Sequence, residues 1–567
     1  MIFQLGILSL LSCTSGSDGL VAGDITAVRI EPAELSLVTR PDEPALAEFT
    51  AFAMMKDGDE VELDLISWSL SNLSTGDIDE EGSFEAVDTN GGVTDVIGAS
   101  FGVEGSARLT VIFSTDIFDG EISAEVASAF SNSSPLEDSA LSISYPFDQV
   151  IVPRNLEGLG FAWDDPSSSS DLIYRLHFQS EITDISVYTQ ELQWVSSSSL
   201  WEMISAANRK GLVSLTIESA SWNGSSLSNH RKGESIELNV NRFDARGSVL
   251  YWGILEETHT ASIQRIPIGT VESETFWTCE GNNCCIGCHA LSEEAERMAI
   301  THNGGKFSIV DISDPLAPEE VVPQTPDRTN VASFKAISPD GEYLIGVEGP
   351  KLIVYNLLTG QRIKDIEFSL PVSHPDFSPD GTQITFVRIT GMAASDMEFK
   401  GGEIVQADFN YETLELENEV VLKERDSTYN YYYPAYSPDG EWIAYNRASN
   451  EFNRADGHFG CYAAPDAELW LMSRDGSIDI RLDQANGVGA MQNSYPRWGP
   501  LPDDDVLWLA FSSRREYSLA SSMEPQIWIV GINPEQAKEG RDPSSAPIWL
   551  PGQAVGNDNH LPVWWSK

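Results

Sequence analysis

Helical periodicity is what this chain has least of, and its near absence sets all-α folds aside. Basic residues are scarce as well: 34 Lys and Arg stand against 87 Asp and Glu, a formal charge of −53. Nucleic acid needs a basic footprint, so that partner class is excluded. Docking on an anionic membrane through the protein surface is disfavoured for the same reason. Divalent cations and basic partners remain permitted. Beyond residue 20 no apolar run approaches the roughly 18 residues of a membrane-spanning helix. Histidines number 8 and cysteines 6, and four of the cysteines fall between 279 and 288. Aromatics, by contrast, are plentiful, with 15 Trp, 16 Tyr and 23 Phe, so packed cores are expected rather than a disordered acidic chain.

Residues 1–12, MIFQLGILSLLS, form an apolar run that ends at Cys13. The run reads as a signal-peptide core, and Leu10-Leu11-Ser12-Cys13 resembles the bacterial lipobox. That resemblance implies cleavage before Cys13 and a lipid on its sulfur. A plain secretory signal with an incidental Cys is the alternative. Thr14, where sorting to the inner membrane would want Asp, points to the outer membrane, on its periplasmic or surface side. No Lys or Arg precedes the run, which leaves the true start codon open. Residues 1–23 are thus an address and tether, and the remainder folds in an oxidising compartment.

Short alternating runs between turn signals fill the rest, so the expected fold class is all-β: two β-sandwiches and then a propeller. Residues 24–115 order their strands as ITAVRIEPAELSLV, AEFTAFA, ISWSLSN, GDIDEEGSFEA and VIGASFGVEGSARLTV. This order resembles the bacterial Ig-like domain and implies Trp68 as its buried core Trp, with Gly76 at a turn. SNSSPLEDS (131–139) reads as a linker. Residues 140–246, with LGFAWDD, LIYRLHF and LVSLTIESASW, resemble a fibronectin type III module, with Ser167–Ser170 and Ser196–Ser199 as loop tips.

Residues 247–567 contain an internal repeat. FKAISPDGEYLIGV (334–347), HPDFSPDGTQITFV (374–387) and YPAYSPDGEWIAYN (433–446) share an apolar approach, Ser-Pro-Asp-Gly and an apolar strand. Pro fixes φ and Gly supplies positive φ, so the tetrapeptide is a tight turn. Degenerate copies place anchors near 289, 335, 375, 434, 496 and 562, which gives six blades. GSVLYWGI (247–254) lacks an inner strand, and LPVWWS (561–566) is an inner strand lacking a blade; together they close a ring. This portion resembles the TolB-type six-bladed propeller of WD40-like PD40 repeats. The resemblance implies a protein or other macromolecular partner in the cell envelope.

One segment carries chemistry. Cys285-Ile286-Gly287-Cys288-His289 is C-x-x-C-H, the attachment motif of c-type haem. Two thiols add to the haem vinyls and the adjacent His reaches the iron. His560, just before the closing strand, is the candidate sixth ligand. Disulfides (Cys279–Cys284, Cys285–Cys288) and structural zinc are the alternatives. Cys461 stands alone in an insertion. Gly98-Ala99-Ser100-Phe101-Gly102 matches G-x-S-x-G but lies between strands, where no nucleophile elbow forms. The acidic stretch 77–82 lacks a full calcium-loop pattern. No acid–base or nucleophile constellation is visible. The expectation is therefore a non-enzymatic envelope lipoprotein with a macromolecular partner, or alternatively an electron-transfer haem protein housed in a propeller.

Overall fold

The computed structural model describes residues 24–567 except 168–170, 256–259, 279–285, 293, 325–330, 451–460, 462–463, 490, 503–504 and 517–523. Strands dominate. Among the described residues no helix is long and apolar enough to cross a membrane. The described residues form two compact units, 24–115 with 181–185, and 116–180 with 186–567.

In the first unit, strand Gly92–Ser100 buries alternate residues, which is the period of a sheet with one covered face. It pairs with the strand that starts at Val103 across a two-residue turn. Phe101 and Gly102 take φ of 48° and 80° there, the twist a tight hairpin requires. The G-x-S-x-G match therefore sits on strand–turn–strand. Ile30, Ala53, Phe84, Val96, Leu109 and Val111 make the core. Trp68 is only partly buried and packs against this core rather than filling it, whereas Phe84 is 1% exposed. In the acidic 77–82 stretch, Asp79 accepts from the N–H groups of Glu81 and Ser83, closing a solvated turn.

The second unit opens on a sandwich with two short helices. Strand Leu172–Gln179 runs antiparallel to Leu212–Trp222, pairing Leu176 with Ile217. Two expectations need correction here. Ser131 ends a helix, Glu125–Ser131, whose Val126, Ala127 and Phe130 are buried against Ile173 and Tyr188. Leu136–Glu137 then pairs with the strand Leu227–Lys232, so 131–139 is built into the module rather than a free linker. Ser196–Ser199 is not a loop tip either: Ser197 accepts from the Leu200 N–H and caps helix Ser198–Ala207.

The remainder of this unit is six four-stranded antiparallel sheets. Their innermost strands are Ile286–Ser292, Lys335–Ile337, Val372–Phe377, Tyr429–Tyr436, Ser494–Trp498 and His560–Trp565. Each contacts the next in chain order, and the last contacts the first, the arrangement of a closed β-propeller. The Ser-Pro-Asp-Gly turns show why the repeat is needed. Ser338 and Ser378 donate to Asp340 and Asp380 at 2.5 and 2.6 Å, and Ser437 donates to Asp439. The same hydroxyls accept from the N–H of Tyr343, Gln383 and Trp442 at 2.9–3.0 Å. The glycines take φ of 70–72°, which an L side chain resists. Ser473-Arg474-Asp475-Gly476 makes the same turn on another hairpin.

Ring closure mixes the two ends of the propeller sequence. His560–Trp565 pairs with Ser248–Leu255, aligning Val249 with Trp564. Ser248 donates to the Lys567 carbonyl at 2.6 Å.

Candidate functional site on the propeller axis

Each inner strand sends one residue to the axis: Cys288, Phe334, His374, Tyr433, Tyr495 and Leu561. At four of them the next residue is Pro, which has no N–H to give the ladder. The ladder slips there, and His374, Tyr433, Tyr495 and Leu561 take φ of 49–58°. The bulge re-aims these side chains inward. Phe334, His374, Tyr433 and Tyr495 then follow one another at centroid distances of 4.3, 4.0 and 3.9 Å. The Tyr433 hydroxyl donates to that of Tyr495 at 2.8 Å. The axis is thus plugged by aromatic rings rather than left open.

His289 and Lys335 occupy the two positions where Pro is absent, in adjacent sheets. Both are buried. Lys335 Nζ donates to the Cys288 carbonyl at 2.6 Å and to the Thr301 hydroxyl. Burial pulls its pKa down to about 8. Burial also pulls His289 down to about 3, with the Lys335 charge helping, so the imidazole is neutral. Neither His289 nitrogen has a hydrogen bond of good geometry, although the Leu250 backbone lies against the ring. The Cys288 thiol is pushed up by burial and stays protonated near neutrality. Asp376 accepts from the Tyr436 N–H at 2.8 Å, and burial raises its carboxyl to about 6 against the pull of Arg497. Lys335, Asp376 and Arg497 escape a reading of motifs alone. The signal for Lys335 was its place in the repeat, where Pro375, Pro434, Pro496 and Pro562 stand.

The C-x-x-C-H segment is only half visible. Cys279, Cys284 and Cys285 lie outside the described residues, as does Cys13. Cys288 and Cys461 are free thiols. Cys461 is buried beside the axial aromatics, where Asn430 Nδ2 donates to its sulfur at 3.5 Å. His560 lies one residue before the axial Leu561, with Nε2 3.2 Å from Asp558 Oδ1. It does not line the axial cavity that Cys288 and His289 share. A neutral, buried imidazole beside a thiol is a donor set that fits haem iron. The cavity they line measures about 20 Å³, so on the axial side it holds no macrocycle.

The two edges of the ring differ. One carries the short Ser-Pro-Asp-Gly turns. The other, the mouth edge, carries the connections into the inner strands and those joining second to third strands. The connection 533–547, with its helix Pro534–Lys538, belongs to the turn edge, and 390–401 belongs to the mouth edge. A cleft of about 440 Å³ opens there, with Val331, Val347, Val372 and Ala393 as apolar walls. Ser333 and Asp396 are its polar pair, joined by a hydrogen bond from the serine hydroxyl. Burial raises the Asp396 carboxyl.

No protein family matches the sequence, and neither does any curated protein. Among solved structures the chain is similar to TolB from Acinetobacter baumannii, over 62% of this chain and 79% of that one, at 13% identity and a TM-score of 0.39. The putative TolB from Agrobacterium tumefaciens is similar over 56% and 98%, at 16% identity and 0.33. Hydrazine synthase from Kuenenia stuttgartiensis is similar over 51% and 80%, at 14% identity and 0.32.

Proposed function

We propose that this is an exported, lipid-anchored envelope protein whose six-bladed propeller binds a protein partner at its mouth edge. Cys13 would carry the lipid, and an Ig-like and a fibronectin-like sandwich would precede the ring. One observation carries the reading: an apolar cleft opens on the mouth edge beside the connection 390–401, while the Ser-Pro-Asp-Gly hairpins of the opposite edge are short and tightly bonded. A rigid ring that holds such a cleft and its loops is a scaffold for recognition. The test is photo-crosslinking in cells from Ala394, on the mouth edge, and Thr359, on the turn edge. A discrete adduct from position 394 alone is expected. Adducts from 359 alone, or from neither site, would remove this reading.

A second reading rests on the neutral, buried His289 imidazole beside the Cys288 thiol. Cys285 and Cys288 would hold a c-type haem with His289 as its ligand, and the haem would supply one-electron exchange. This makes the protein an envelope electron carrier. Export from a host with cytochrome c maturation should then give a pyridine haemochrome signal that is lost in Cys285→Ala with Cys288→Ala. No signal, while a control cytochrome matures, sinks it and leaves the cysteines to disulfides or zinc.

A further inference from the structure

A cleft of about 460 Å³ lies between the second sandwich and the propeller, and its charge is opposite to that of the chain. Arg154, Arg209, Lys210, Arg242 and Arg246 line it, against a single lining acid among the described residues, Asp244. In a chain carrying −53, five cations around one cleft are not an average stretch of surface. Two are already matched. Arg154 binds Asp244 through two hydrogen bonds of 2.8 and 2.9 Å, and Lys210 lies 3.5 Å from Asp505. Arg209 and Arg242 have no carboxylate partner among the described residues.

The loop that carries Arg242 and Arg246 is held in place. Asn155 donates to the Ala245 carbonyl at 3.0 Å and accepts from the Ala245 N–H at 3.0 Å. Trp564, on the closing strand, donates to the Arg246 carbonyl at 2.8 Å. Such anchoring lowers the ordering cost of binding. The walls are apolar. Phe243 and Leu501 are 36% and 60% exposed, and Trp508 and Trp564 form the floor. The Arg242 guanidinium stands 5.0 Å over the Phe243 ring.

We propose that this cleft binds an acidic peptide segment, with Arg209 and Arg242 taking its carboxylates and Phe243 and Leu501 covering an apolar side chain. A bare phosphate would satisfy the guanidinium groups but leave this apolar wall in water. A nucleic acid would extend beyond the cleft into the field of the chain's surplus acids, whereas a short peptide stays within it. A short extended peptide presents both kinds of group at the spacing of alternate residues. The reading is independent of the mouth-edge proposal.

The probe is a fluorescent hexapeptide of Asp and Glu with one central Phe, titrated into the full-length mature protein and followed by polarisation. Saturable binding is expected, weakened by salt. Arg209→Glu with Arg242→Glu should weaken it about tenfold or more, the scale of a lost charge pair plus repulsion. Phe243→Ala should weaken it about threefold with both charges retained, which also guards against a misfolded double variant. Arg541→Glu, outside the cleft, should change nothing. Three results would overturn the proposal: no saturation, a double variant that binds as the parent does, or displacement of the peptide by an equal concentration of inorganic phosphate. The last would mark a simple oxyanion site.

Discussion

Trp565→Ala is expected to cost the propeller about 3–5 kcal/mol, the range for removing a fully buried large aromatic. Trp565 is 1% exposed. Its ring meets Phe276 edge-on at 5.8 Å, and the Arg265 guanidinium lies 5.5 Å over it. The loss should exceed that of an ordinary core residue in one respect. His560–Trp565 completes the sheet that begins at Ser248, so loosening it frees an unpaired edge as well as leaving a cavity. Urea unfolding reads the effect, with Leu316→Ala as the control. Leu316 is 83% exposed, and its variant should stay within about 0.5 kcal/mol of the parent. A Trp565→Ala cost below about 1 kcal/mol would mean that the ring is held by something other than its closing strand.

Acid is expected to unfold this protein well above the range set by its carboxylates. The cause is buried histidine. His560 is pushed down to about 3 by burial, with a smaller contribution from the Arg514 charge. His374, between Phe334 and Tyr433, is held well below its ordinary value of 6.5 by burial, with Arg497 acting the same way. Among the described residues neither nitrogen of His374 has a hydrogen-bond partner. These groups fold neutral, whereas in the unfolded chain they take protons below about 6.5. Their contribution is therefore complete above pH 6.5 and is lost as pH falls toward 3. At about 1.4 kcal/mol per pH unit per group, the loss reaches several kcal/mol by pH 4. Asp376 works the other way. Its carboxyl, raised to about 6, contributes stability that is fully present below about 3.8 and lost as pH rises through 6. Asp558, also raised to about 6, and Asp396, raised by burial, act with Asp376, but His289, His374 and His560 are displaced further from their ordinary values, so the histidines decide the sign. The urea midpoint should fall from pH 7.5 to 4, and His374→Phe with His560→Gln should flatten that fall. A midpoint that is level, or that rises toward acid, would contradict the titration of these side chains.

Much of this architecture is written locally. Ser-Pro-Asp-Gly encodes its own turn: a fixed φ at Pro, a positive φ at Gly, and Ser and Asp side chains that bond backbone within five residues. Such signals survive in a bare sequence because they need no distant partner. The two short helices were harder to see. Helix Ser198–Ala207 hides its Leu200, Trp201 and Ile204 stripe behind a run of serines that reads as loop. Helix Glu125–Ser131 spans two turns, too short for periodicity to show.

The axial site divides along the same line. The sequence determined which positions would be inner strands, since each carries its own turn and alternation. The Pro that follows the axial residue in four of the repeats, and its absence at His289 and Lys335, is also present in the sequence, though only the repeat alignment exposes it. Only the closed ring decided what those departures mean. Cys288, Phe334, His374, Tyr433, Tyr495 and Leu561 lie some forty to sixty-six residues apart along the chain. They meet because six sheets share one axis. Burial at that axis neutralises His289, lowers Lys335 and raises Asp376, and desolvation is a property of the assembled ring rather than of any segment. The basic cleft has the same origin: a composition of −53 hides it, and folding brings Arg154, Arg209 and Arg242 together.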